Sequence, residues 1–194
     1  MMARSDITGI ILAGGRSTRM GEDKGLVKID GKPLFQRIAE RLDPMVSKIL
    51  INSNQNQHLY GQHFEVIPDM TQDYSGPLAG MLAGLKAATT QWALFVPCDV
   101  PAFPVNLAEA FWQHKDGQQA LYARDLHREH PTLCLLNKNL IPALEKYLIS
   151  GERKVMFFFN KINAMPITFH ERNAFANLNT PADIIQWQDR QGDV

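Results

Sequence analysis

Cysteine is scarce: Cys98 and Cys134 are the only two in 194 residues. They stand far apart in apolar runs, so they match neither a close metal-ligand pair nor a disulfide framework. Buried thiols in a reducing compartment are expected. Net charge is absent too. Twenty basic and twenty acidic residues cancel, which leaves no electrostatic footprint for nucleic acid or an anionic membrane. Any phosphate chemistry must therefore use a local site. No apolar run approaches the roughly 20 residues that span a bilayer. The opening MMARSDITGI lacks an apolar signal core, so the expected location is the cytoplasm, with no membrane partner. The patterns GxxxxGK[ST] and GxGxxG are missing, which excludes a Walker A loop and a dinucleotide fingerprint. No Ser/His/Asp or Cys/His constellation points to a nucleophilic side chain. Internal repeats, low-complexity tracts and Pro/Gly/Ser linkers are lacking as well, so residues 1–194 read as one domain.

What is present is an ordinary globular composition, 45% hydrophobic and 21% charged, long enough to bury a sizeable core. Apolar runs alternate with helical patterns. Residues 7–13, 47–52, 64–67 and 92–97 read as short buried strands. Between the first two lies KPLFQRIAERLDP, with Pro33 suited to a helix start and Leu34, Ile38 and Leu42 on one face. Between the last two, GPLAGMLAGLKAATT places Leu78, Leu82 and Leu85 at helical spacing. Repeated strand–helix–strand predicts an α/β fold, a mostly parallel sheet with helices on both faces. The second half is more mixed. Residues 119–124 and 131–136 read as a strand hairpin, 138–149 and 153–160 as helices, and 165–169 as an edge strand. A final helix follows Thr180 as N-cap and Pro181 as first residue.

Open parallel sheets bind ligands beyond the carboxyl ends of their strands. Gly14 and Gly15 follow the first run, Asn52 and Asn54 the second, Asp69 the third, Cys98 and Asp99 the fourth. A glycine pair lets backbone N–H groups approach a phosphate with no Cβ in the way, though such pairs also make plain turns. Arg19 and Lys24 can neutralise a polyphosphate or stand as solvated charges. Asp99 is placed either to hold a magnesium ion, which takes one or two carboxylates plus phosphate oxygens, or to cap a turn. Gly80 and Gly84 lie one turn apart inside a helix, where each glycine costs roughly 1 kcal/mol, so a ligand or the sheet must approach closely. Asn177 and Asn179 alternate before the last helix. Arg128, His130, Arg153 and Lys154 flank apolar runs, as surface charges or as parts of a second anion pocket.

LAGGRSTRMGEDKG after the first strand, GPLAG before the glycine-bearing helix, PCD after a later strand and NLNTP near the end resemble the molybdenum cofactor guanylyltransferase family. The match spans nearly the whole chain in order. The resemblance implies a three-layer α/β/α fold around a Rossmann-like nucleotidyltransferase sheet. It also implies transfer of GMP from GTP to molybdenum-bound molybdopterin, with release of pyrophosphate. By the same resemblance, Leu12, Ala13, Gly14, Gly15, Lys24, Asn52, Asp69, Gly76, Gly80 and Asp99 hold the nucleotide. Lys24, Arg19 and Asp99 carry catalysis, Mg2+ sits on Asp99, and Arg153, Asn177 and Asn179 face the pterin. Residues up to about 105 would form the nucleotide half and those from about 106 the pterin half. GTP and molybdopterin are the expected partners, with proteins that donate and accept the cofactor; a monomer is expected. The alternatives are a cytidylyl- or sugar-1-phosphate nucleotidyltransferase, or an adaptor that binds nucleotide or cofactor without catalysis. A phosphate acceptor is already nucleophilic at neutral pH, which agrees with the lack of a side-chain nucleophile or base.

Overall fold

The computed structural model describes residues 2–14, 23–70, 76–171 and 173–192. β1 (Ile7–Leu12) is buried at every position, the signature of a strand covered on both faces. A two-residue hairpin follows, β2 (Lys28–Ile29) and β3 (Lys32–Pro33). Then come α1 (Leu34–Leu42), β4 (Lys48–Asn52), α2 (Gln57–Tyr60), β5 (Glu65–Ile67), α3 (Pro77–Ala87) and β6 (Trp92–Pro97). The second half supplies α4 (Leu107–Gln113), β7 (Ala120–Arg124), β8 (Glu129–Asn137), α5 (Ile141–Ile149), α6 (Val155–Lys161), β9 (Met165–Thr168) and α7 (Pro181–Gly192).

Seven strands form one sheet in the order β5-β4-β1-β6-β8-β7-β9. β1 pairs in parallel with β4 and β6, β4 with β5, and β7 with β9. β8 alone runs against its neighbours. It follows a tight reversal in which Asp125 Oδ1 accepts from His127 N at 2.7 Å and Arg128 N at 2.8 Å, an Asx turn that sends the chain straight back.

The two-residue side-chain period of the strands divides the core. Ile7, Ile11, Leu94 and Val96 face one side, with Phe35, Ile38 and Leu42 of α1 and Leu107 and Phe111 of α4. Ile10, Leu12, Ala93 and Phe95 face the other, with Leu78, Met81, Leu82 and Leu85 of α3, Leu144 and Leu148 of α5, and Phe158 and Phe159 of α6. This is the three-layer α/β/α arrangement expected. Gly84 belongs to this packing: a Cβ there would strike the Phe95 ring and Ile10, so the sheet, not a ligand, accounts for that glycine.

Several details differ from the sequence reading, among them the unforeseen β2–β3 hairpin and α2. Pro33 pairs with Lys28 in the small hairpin, and α1 begins one residue later at Leu34. α4 was not foreseen, because its apolar stripe (Leu107, Ala108, Phe111) fills only two turns. β8 starts at Glu129, two residues before the expected run. The last helix enters as expected. Asp183 N donates to Thr180 Oγ1 at 3.2 Å and Thr180 N donates to Asp183 Oδ2 at 2.8 Å, a reciprocal capping box. Ile184 and Trp187 of α7 then pack on Ile29, Leu34 and Leu178, which docks the chain's end beside the small hairpin. Among the described residues, no helix is long and apolar enough to cross a membrane.

Candidate active site

The carboxyl ends of β1, β4, β5 and β6 share one rim of the sheet. Ala13 N donates to Asn52 O at 2.9 Å, and Cys98 N donates to Leu12 O at 3.1 Å. The glycine exit therefore leaves the sheet between the end of β4 and the end of β6. On the β4–β5 side, Asn52 is 3% exposed, and its amide donates to Ile67 O at 3.1 Å and Asp69 Oδ1 at 2.9 Å. Asn54 completes the frame: its amide donates to Asp69 Oδ2 at 2.8 Å, and its oxygen accepts from Asp69 N at 2.7 Å. Both carboxylate oxygens of Asp69 are thus held by neutral donors. Gly80 of α3 packs against this frame. A Cβ there would run into the Asn52 carboxamide and lie 3.0 Å from Leu12 Cδ2. The close approach anticipated at Gly80 is to Asn52, a residue of the rim itself.

The β6 side is built differently. Lys24 Nζ lies 2.6 Å from Asn179 Oδ1 and 3.4 Å from Asp99 Oδ2, donating to both. The ion pair is partly sheltered, with 25% of the lysine side chain and 15% of the aspartate side chain exposed. Asn177 Nδ2 donates to the same Asp99 oxygen at 3.4 Å. Leu178 N donates to Asp99 O at 2.8 Å, and Asn179 N donates to Asp183 Oδ2 at 2.9 Å. Segment 177–179 is thereby fixed to the end of β6 on one side and to the α7 cap on the other. Residues from both ends of the chain meet around one ammonium.

Residues 9–164 match the family model described as MobA-like NTP transferase domain. The chain belongs to that family. A molybdenum cofactor guanylyltransferase from Serratia proteamaculans is 53% identical over 190 residues, covering 96% of each chain. One from Yersinia pseudotuberculosis is 50% identical over 189 residues, covering 96% of this chain and 97% of the relative. Among solved structures, molybdopterin-guanine dinucleotide biosynthesis protein A from Archaeoglobus fulgidus superposes with a TM-score of 0.81 at 21% identity, covering 96% of this chain and all of that one. A 4-diphosphocytidyl-2C-methyl-D-erythritol synthase from Anaerococcus prevotii reaches a TM-score of 0.77 at 13% identity, over 98% and 100% of the two chains. At those identities the structural likeness speaks for the fold alone, a nucleotidyltransferase sheet of Rossmann-like kind.

At this rim the structure gathers Leu12, Ala13, Gly14, Asn52, Asp69, Gly80, Lys24, Asp99, Asn177 and Asn179. Gly76 caps α3 at φ +87°, a backbone conformation suited to glycine, with Pro77 next. Gly15 and Arg19 lie outside the described residues. Arg153 sits in the α5–α6 connection, where Nη1 donates to Leu148 O at 2.8 Å and Glu152 O at 2.7 Å, so it closes the end of α5. The four flanking basic residues divide between the faces of the sheet. Arg128 Nη2 donates to Phe175 O at 3.4 Å and His130 stacks on the Phe175 ring at 4.4 Å, whereas Lys154 lies over Phe157 on α6. Burial first, then Asp99 and Asp23, pushes the Cys98 thiol far above its usual range. Sequence reading quoted Asp23 within its motif without a role, and passed over Tyr60 and Asn56. Asp23 Oδ1 accepts from Tyr60 OH at 2.7 Å and Gly25 N at 3.2 Å, and Oδ2 accepts from Asn56 Nδ2 at 3.0 Å.

Proposed function

We propose that the chain transfers the GMP moiety of GTP to the terminal phosphate of molybdenum-bound molybdopterin, forming the molybdopterin guanine dinucleotide cofactor and releasing pyrophosphate. The observation that carries the reading is the Lys24 ammonium shared by Asp99 and Asn179 at the rim where the glycine exit leaves the sheet. An acceptor phosphate oxygen attacks the α-phosphorus of GTP. The bond from that phosphorus to the oxygen bridging the β-phosphorus breaks, and pyrophosphate departs with the electron pair. A phosphate monoester has a second pKa of about 6, so the acceptor arrives deprotonated and the chain need supply no base. Positioning and charge neutralisation are what remain for the protein.

Lys24, with Arg19, neutralises the phosphates while the backbone at Gly14 and Gly15 donates to them; Ala13, whose N–H is held by Asn52 O, lines the nucleotide. Asn52, Asp69, Gly76 and Gly80 line the nucleoside, whose base meets backbone groups near Leu12 and at the start of α3. Arg153, Asn177 and Asn179 receive the pterin side, so the halves of the chain divide the two substrates at about residue 105. The donor set also suits magnesium: one carboxylate on Asp99 and a neutral amide oxygen on Asn179, both hard oxygens. Among the described residues there is no group of three or more His, Cys, Asp or Glu that would cage a metal. Asp99 and Asn179 would hold the ion, which would supply positive charge against the charge developing on the phosphates.

The test is pyrophosphate release with Mg2+, molybdopterin as acceptor, and GTP, CTP, ATP and UTP in parallel. Release with GTP alone supports the reading. Release with CTP alone replaces guanylyl by cytidylyl transfer, and GTP binding with no release turns the chain into an adaptor.

A further inference from the structure

We infer that Tyr60 is a positioning residue for Lys24, its buried hydroxyl fixing Asp23 and thereby the lysine beside it. The inference rests on the role given to Lys24 above. Tyr60 is fully buried on a helix of four residues. Its ring meets Phe35 edge-on at 4.9 Å, which accounts for the ring. The hydroxyl has a different partner: it donates to Asp23 Oδ1 at 2.7 Å.

Asp23 collects three donors from three places. Gly25 N turns back onto Oδ1 at 3.2 Å, Tyr60 arrives from α2, and Asn56 Nδ2 reaches Oδ2 at 3.0 Å. Asn56 holds a left-handed backbone, φ +50°, which asparagine tolerates better than most residues. Its side chain makes no cap bond to its own helix and spans instead to Asp23. Gly25 is fitted to the same point: a Cβ there would collide with the Tyr60 hydroxyl. Between Asp23 and Gly25 stands Lys24, whose backbone therefore has a pinned neighbour on each side. Its ammonium reaches Asp99 and Asn179 from that base. Burial, and then the Asp23 carboxylate, hold the Tyr60 phenol well above its ordinary range, so the hydroxyl remains a donor at any working pH.

The hydroxyl acts through placement of a charge that matters most where charge develops, so its loss falls on kcat more than on KM for GTP. Tyr60→Phe keeps the ring and removes the donor. Asn56→Gly removes the second donor and keeps the backbone conformation accessible. Phe35→Leu is the packing control, disturbing the ring contact and leaving the hydroxyl. Each is assayed as kcat and KM for GTP by pyrophosphate release, per folded molecule, beside thermal unfolding. A misplacement of about 1 Å can cost roughly a hundredfold. We expect Tyr60→Phe and Asn56→Gly each to lower kcat about tenfold, with KM changed less than about twofold. Phe35→Leu should lower the midpoint and spare kcat. Wild-type kcat in both donor variants overturns the inference, as does an equal kcat loss in Phe35→Leu, which would make packing the cause. Lys24→Ala at wild-type turnover would instead remove the catalytic reading on which the inference stands.

Discussion

Asp69 and Asp99 both follow a strand on the same rim, yet they are kept in opposite company. Asp69 is framed by the amides of Asn52 and Asn54 and, among the described residues, by no cation. Asp99 shares one oxygen between the Lys24 ammonium and the Asn177 amide. Three inter-strand spacings of about 4.8 Å, roughly 14 Å, separate the β5 end from the β6 end, across strands β4 and β1. That span suits one nucleotide laid along the rim. Neutral donors fix a carboxylate without cancelling its charge, which suits holding hydroxyl and N–H groups of a nucleoside. A carboxylate paired with a lysine and a neutral oxygen suits handling phosphate charge. The difference teaches that residues of one type at equivalent strand ends take their work from the groups around them.

Removing the cation should break the contrast most severely. Lys24→Ala leaves Asp99 and Asn179 without their shared partner, and turnover should fall by about a hundredfold or more, the scale of losing one transition-state donor. Circular dichroism and the thermal midpoint should stay near wild type, since the lysine is at the rim and not in either core. Turnover within a few-fold of wild type would take Lys24 out of the chemistry.

A smaller effect sharpens the Asp69 side. Gly80→Ala pushes a methyl into the Asn52 carboxamide. Overpacking of this kind costs about 1–3 kcal/mol, read as a lower midpoint in chemical denaturation. Because Asn52 holds Asp69, KM for GTP should rise more than kcat falls. Full stability with unchanged KM would show that the Asn52 frame has slack.

The smallest change expected is at the α7 cap, which holds segment 177–179 from the far side. The Thr180 hydrogen bond first, and then Asn179 N, keep the Asp183 carboxyl below its usual range. A depressed carboxylate contributes stability above its unfolded value, near 3.9, and loses it as pH falls through the folded value. Asp183→Ala should therefore cost about 1 kcal/mol at neutral pH, a typical cap. The gap between variant and wild type should narrow below about pH 4. A gap that stays constant into acid would assign the cost to something other than the carboxylate.

Much of this molecule can be read from its sequence because its signals are strong ones. The runs that became β1, β4 and β6 are apolar on both faces, and Leu34, Ile38 and Leu42, all three buried, mark α1 without ambiguity. The β2–β3 hairpin could not be read so, since two-residue strands carry no period and Pro33 suggests a helix start. In the site, Lys24, Asp99 and Asn179 belong to separate motifs whose order pointed to one chemistry, and the fold brings them within hydrogen-bond reach. Tyr60 and Asn56 carry no local signal. Their partner is Asp23, more than thirty positions away in each case, and only tertiary folding joins them.

The contrast between the two carboxylates is tested most directly by kcat and KM for GTP in Asp69→Asn and Asp99→Asn, measured side by side with Mg2+ and the molybdopterin acceptor. The account predicts that Asp99→Asn lowers kcat by about a hundredfold, while Asp69→Asn raises KM and leaves kcat within about threefold. Equal losses of kcat in both variants, or a loss confined to Asp69→Asn, would contradict it.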